Sequence, residues 1–171
     1  MRTLTRSSIA AAALLSVIAL GGCSAIQGLI GGGGETVARD ADTQEVTEGG
    51  TADVFTLRVG DCFDDTSADA KEISEVPAVP CDQPHDNEIY HEFTMPDGDF
   101  PGQEALDAAA DEECAAEFDT FVGIAYADSV LDWAPFQPTE GSWTQLDDRV
   151  VQCIIYEYGV RVEGSLAGVA R

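Results

Sequence analysis

Within the fifteen residues VPCDQPHDNEIYHEF, Val79 to Phe93, the chain gathers Cys81, His85 and His91 among the carboxylates Asp82, Asp86, Glu88 and Glu92. Imidazole and carboxylate together can hold a divalent cation and activate water, so His85, Asp86 and His91 are the candidate ligands of a metal-dependent hydrolase, with Glu88 available to help. The spacing does not supply a ready-made site. His85 and His91 are the only histidines and stand six apart, whereas the HExxH pattern sets two histidines four apart on one helix face. The residue-level expectation is therefore a structural hydrogen-bond pair of histidine and carboxylate, with no metal and no cofactor.

Other chemistries find less support. No G-x-S-x-G elbow is present, so an activated serine on a strand-to-helix turn is not expected. Asp97-Gly98-Asp99 begins like a calcium loop but lacks the later ligands and the terminal glutamate, and it reads as a turn. Between Trp133 and Trp143 the segment WAPFQPTEGSW reads as a loop. Trp133, Phe136 and Trp143 could form an aromatic shelf for a partner, although large aromatics more commonly cover the edge of a core.

These residues must be positioned by a small set of elements. Phe55, Leu57 and Val59 alternate and predict one strand; Ile89, His91, Phe93 and Met95 predict one face of a second, with Tyr90, Glu92 and Thr94 on the other. The run from Arg149 to Tyr158 is apolar on both faces at its centre, which predicts a strand inside a sheet. One helix is expected, with Pro101 in its first turn, Glu104 near its positive end and Gly123 as its stop. Leu106, Ala110, Cys114, Phe118 and Phe121 make its apolar stripe, and Asp107, Asp111, Glu112 and Asp119 its solvated face. The fold class that follows is α+β: a small, mainly antiparallel sheet with one principal helix packed on a face.

The amino terminus predicts export. Arg2 and Arg6 precede the apolar run Ile9 to Leu20, which is too short to span a bilayer. Leu20-Gly21-Gly22-Cys23 resembles a bacterial lipobox, so residues 1–22 are expected to be a lipoprotein signal and Cys23 the lipidated first residue. Lipid chains would anchor the protein to the extracytoplasmic face of the membrane, each buried methylene contributing about 0.8 kcal/mol. Residues 23–52, with Gly31 to Gly34 in a row, are expected to form an acidic, Gly-rich tether with a reach of roughly 30 Å. Residues 53–171 form the domain.

With 32 acidic against 8 basic residues the formal charge is −24, and loss of Arg2 and Arg6 would make it more negative still. That balance excludes nucleic acid as a partner. It also admits an acidic surface protein that holds cations weakly over many carboxylates. Apart from Cys23 the cysteines are Cys62, Cys81, Cys114 and Cys153, an even number in an exported domain. Cys62 and Cys81 end extended segments flanking one loop, while Cys114 points inward from the helix stripe and Cys153 lies on the central strand. The expected bridges are Cys62–Cys81 and Cys114–Cys153. A four-cysteine zinc site would need close cysteine pairs, and none is present.

The ordered pieces Val59-Gly60-Asp61-Cys62-Phe63, Val79-Pro80-Cys81 with Pro84-His85-Asp86 and Glu88, Cys114 and Phe118 leading to Val122-Gly123, Trp143, Asp148-Arg149-Val150-Val151-Gln152-Cys153 and Gly164-Ser165-Leu166 resemble the septum formation family of actinobacterial envelope proteins. The resemblance covers the domain and implies an exported or membrane-attached module with paired cysteines, no assigned catalytic residues and a link to cell division. One departure is Asp147, where the family often shows glycine; it weakens the expectation of a tight glycine turn there without removing the match. The reading reached is a non-enzymatic envelope lipoprotein that binds a partner protein or a cell-wall component, with the metal-dependent hydrolase and the cation-binding surface protein as alternatives.

Overall fold

The computed structural model describes residues 37–66 and 73–171. The expected export signal, the expected lipidation position Cys23 and the first part of the expected tether lie outside the described residues. In chain order the strands and helices are β1 Ala38–Arg39, β2 Val46–Glu48, β3 Gly50–Asp53, β4 Cys62–Phe63, β5 Glu75–Val79, β6 Asn87–Thr94, α1 Gln103–Val122, β7 Asp132–Phe136, α2 Glu140–Gln145 and β8 Val150–Tyr156. β1 and β2 make a small hairpin, and the other six strands form one sheet ordered β3-β5-β4-β6-β8-β7 with every pairing antiparallel. The α+β architecture with one principal helix is as expected. No helix among the described residues is long and apolar enough to cross a membrane.

α1 buries Leu106, Ala110, Cys114, Phe118 and Val122, a strict four-residue repeat that keeps one side of the helix on the sheet. Val122 completes this stripe; Phe121, expected there, is half-buried beside it. The helix ends at Gly123, whose φ of 90° is the left-handed conformation that glycine adopts without a Cβ clash. Its start differs from expectation. Gly102 is the N-cap with φ 86°, so Pro101 precedes the helix rather than opening its first turn.

β8 lies between β6 and β7 and is buried on both faces. Val151, Cys153 and Ile155 join the helix-side core with Tyr90, Leu131, Trp143 and Leu166. Ile154 turns the other way, into a second cluster with Ala52, Leu57, Phe63, Val76, Ala78 and Ile89. The two bridges pair as expected: Cys62–Cys81, with Cα atoms 5.2 Å apart, joins β4 to the turn after β5, and Cys114–Cys153, at 5.6 Å, ties α1 to β8.

Three sequence expectations are corrected. Residues 38–52 are part of the fold, not tether. β3 pairs with β5 from Gly50↔Ala78 to Asp53↔Glu75, and Ala52 is fully buried. The Arg39 guanidinium forks onto buried Asp61 at 2.6 and 2.8 Å, a bidentate pair that docks the hairpin. Strands this short carry no hydrophobic period and are held by tertiary partners, which is why composition read them as coil.

The segment of Phe55, Leu57 and Val59 is not a strand. The Asp53 carboxylate accepts the Phe55 N–H at 2.9 Å and starts a single 3-10 turn, Val54–Thr56. Only Leu57 of the three is buried. In β6 the expected single face is broken by a bulge between Ile89 and His91: Ile89 opposes Ile154, but His91 opposes Cys153. The additional residue, Tyr90, joins the helix-side core and donates its O–H to the Cys114 carbonyl at 2.7 Å.

Candidate functional site

His85 and Asp86 lie in the turn before β6 and Glu88 in its first residues, and each acquires a different partner. His85 is fully buried, and its backbone exchanges hydrogen bonds with Val162 at 2.9 and 2.8 Å. Its Nδ1 lies 2.8 Å from the Gln83 carbonyl oxygen. A carbonyl only accepts, so Nδ1 carries the proton and Nε2 presents a lone pair in the neutral ring. Nε2 is buried and has no hydrogen-bond partner.

Asp86 turns to the other side. One oxygen accepts the Asp65 N–H at 3.0 Å and the other faces Arg161 Nε at 3.6 Å. Arg161 also bonds the Asp64 carboxylate and donates to the Pro84 carbonyl at 2.6 Å, so Asp86 braces a structural network. Glu88, buried at the start of β6, accepts from Ser165 Oγ and from the Leu166 backbone N–H, both at 2.7 Å. It thereby pins the carboxy-terminal segment to the sheet. Those partners lie far along the chain, so the role of Glu88 has no local signal in the sequence.

His91 is half-buried, opposite Cys153, with its ring stacked near Phe93 at a centroid distance of 6.4 Å. His85, Asp86 and His91 therefore do not converge, which corrects the hydrolase ligand set. The bulge and the opposed direction of Asp86 are the physical reasons. The group of ligand atoms that does converge, within 4.8 Å, is Cys62 Sγ with one atom each of His85 and Glu88. Asp97 and Asp99 belong to no such group among the described residues.

The aromatic segment is likewise divided. Trp133 opposes Ile155 and packs on the helix-side core, whereas Phe136 opposes Gln152 and meets Phe63 at 5.7 Å on the other face. Trp143 is buried in α2, donates Nε1–H to the Gly98 carbonyl at 2.9 Å and meets Phe100 edge-on at 5.7 Å. The expected loop is thus β7 followed by a short helix capped by Thr139, and no shared shelf forms.

A broad groove of about 1040 Å³ opens between residues 54–58 and the β7–α2 region, with Gln103, the first residue of α1, also in its lining. Gln152, whose amide donates to the Leu57 carbonyl at 2.9 Å, links its two walls. Apolar surface comes from Phe55, Phe136, Leu146 and Val150, and amides from Gln103, Gln137 and Gln145. Its charged residues are Arg39, Arg58, Glu92 and Asp148, two of each sign, in a chain of formal charge −24.

A family model described as "Septum formation" matches residues 32–161, most of the chain. The chain belongs to this family. Its match begins before β1, in agreement with the strands at 38–53. Curated proteins and solved structures returned no match. Membership of the septum formation family suggests a cell-division-related envelope role, and together with the two bridges it is consistent with an extracytoplasmic protein.

Proposed function

We propose that this septum formation protein is a non-enzymatic envelope lipoprotein, anchored through lipid on Cys23, whose domain binds a partner protein or cell-wall component through the groove beneath β7 and β8. The observation that carries the reading is the composition of that groove. Amides and apolar side chains predominate there, and with Arg39 already paired to Asp61 its remaining charges are Arg58 against Glu92 and Asp148, while the rest of the chain is strongly acidic. A concave, weakly charged surface of this kind suits a polar but weakly charged partner, which the remaining surface would not attract. The dispersal of His85, Asp86 and His91 supports binding over catalysis.

The test combines place and contact. A fluorescent fusion of the full chain should concentrate at division sites, and Cys23→Ser should release it from the membrane. A photoreactive residue at Phe55 or Leu146 should crosslink to one envelope component, while the same residue at exposed Glu112 on α1 should not. Uniform distribution with no groove-specific crosslink would defeat the reading.

A further inference from the structure

We propose that when the Cys62–Cys81 bridge is reduced, Cys62, Cys81, His85 and Glu88 become a binding site for a zinc-type divalent cation. The proposal is independent of the groove. Three of the four ligand atoms, on Cys62, His85 and Glu88, already lie within 4.8 Å of one another, and all three residues are buried. His85 carries the strongest indication, since its buried Nε2 has no partner. The Gln83 carbonyl at Nδ1 holds the ring in the tautomer that leaves Nε2 free to ligate.

Glu88 is oriented in a comparable way, because Ser165 Oγ–H and Leu166 N–H each donate to one of its oxygens, and an oxygen lone pair remains for a metal. The missing element is thiolate. In the bridge the two sulfurs are bonded to each other and neither is a useful ligand. Reduction by a dithiol supplies two electrons and two protons: the S–S bond breaks, Cys62 and Cys81 become thiols, and the reductant becomes a disulfide. Cys81 is the less buried partner and so the sulfur that an incoming thiolate reaches first, with Cys62 as the leaving group beside His85. A cation then replaces the two thiol protons, which pass to solvent.

Two sulfurs, one imidazole nitrogen and one carboxylate oxygen are a four-ligand set that suits tetrahedral zinc. The second bridge has no equivalent, since Cys114 and Cys153 belong to no such ligand group among the described residues. Bridge and metal are alternative ways of tying β4 to the turn that carries His85.

The experiment uses the full chain with Cys23→Ser, which removes the additional thiol. Reduced by a phosphine and titrated with zinc against a chromophoric chelator, it should take up one ion per chain, and the oxidised protein none. X-ray absorption at the zinc edge should show two sulfur and two nitrogen or oxygen ligands. His85→Gln and Glu88→Gln should each weaken binding by at least about tenfold. Cys81→Ser, with the second bridge intact, should bind through one sulfur. A folded reduced chain that takes up no zinc, a four-sulfur shell, or unchanged affinity in both glutamine variants would overturn the proposal. Where reduction unfolds the chain, zinc should restore its circular dichroism, and failure to do so counts against the site equally.

Discussion

The guanidinium carbon of Arg149 sits 3.9 Å above the ring of Trp143. The same side chain donates to the Trp143 and Asp148 carbonyls, each at 2.9 Å, and only about an eighth of it is exposed. Arg149 thus closes the end of α2 over a buried indole, joining stacking to backbone capture. Arg149→Ala should lower stability by about 2–4 kcal/mol, from lost cation–π contact and lost charged hydrogen bonds. Arg149→Lys should recover less than half, because an ammonium cannot reproduce the planar fork. Urea unfolding with an unchanged slope measures both. A lysine variant as stable as the parent would reject the geometric argument.

The two bridges should differ in what they contribute. Cys114–Cys153 closes a separation of 39 residues and Cys62–Cys81 one of 19. The loop-entropy model assigns them about 4 and about 3 kcal/mol. Replacing both members of each pair with alanine and comparing thermal midpoints should rank the longer loop as the costlier loss. The opposite order would mean that residual structure in the unfolded chain, rather than loop length, governs.

Alkaline pH should reveal Tyr90. Burial, with a smaller contribution from the Glu117 carboxylate, pushes its phenol well above the ordinary value of 10.0. Between the unfolded and folded values the unfolded chain binds fewer protons, so stability is constant below about pH 10 and falls as pH rises above it. Tyr126, raised first by its hydrogen bond to Asp132, and Tyr156, raised first by burial, act with the same sign. Tyr90→Phe should therefore make the decline shallower without abolishing it, and cost about 1 kcal/mol at neutral pH through the lost bond to Cys114. Chemical denaturation from pH 8 to 11.5 provides the test.

Asp147 occupies a left-handed backbone position, φ 57°, so the turn that a glycine would favour is retained by an aspartate. Its carboxylate meets Arg149 Nη2 at 3.0 Å but is largely exposed, so the ion pair contributes little. Asp147→Gly should be neutral or stabilising by up to about 1 kcal/mol, and Asp147→Val should be destabilising by at least about 1 kcal/mol. Equal midpoints for the two variants in thermal melts would contradict the assignment.

What could be read from the sequence was what repeats locally. The four-residue stripe from Leu106 to Phe118, the glycine stop at 123 and the doubly apolar run around Cys153 are short-range patterns, and they located α1, β8 and the bridge between them. What escaped depends on distant partners. β3 exists because β5 lies beside it, Glu88 is buried because Ser165 and Leu166 return to it, and the bulge at Tyr90 shifts which residues share a face. Asp53 shows a local competitor prevailing, since its side chain captured the backbone that alternation had assigned to a strand.

The bridges are consecutive in the chain: the first two domain cysteines pair, then the next two, and neither loop encloses the other. A polypeptide that emerges amino terminus first presents these four thiols in the order in which they must join. An oxidant that joins these four cysteines two by two in chain order reaches the native connectivity directly, without the slow thiol exchange that interleaved pairings require.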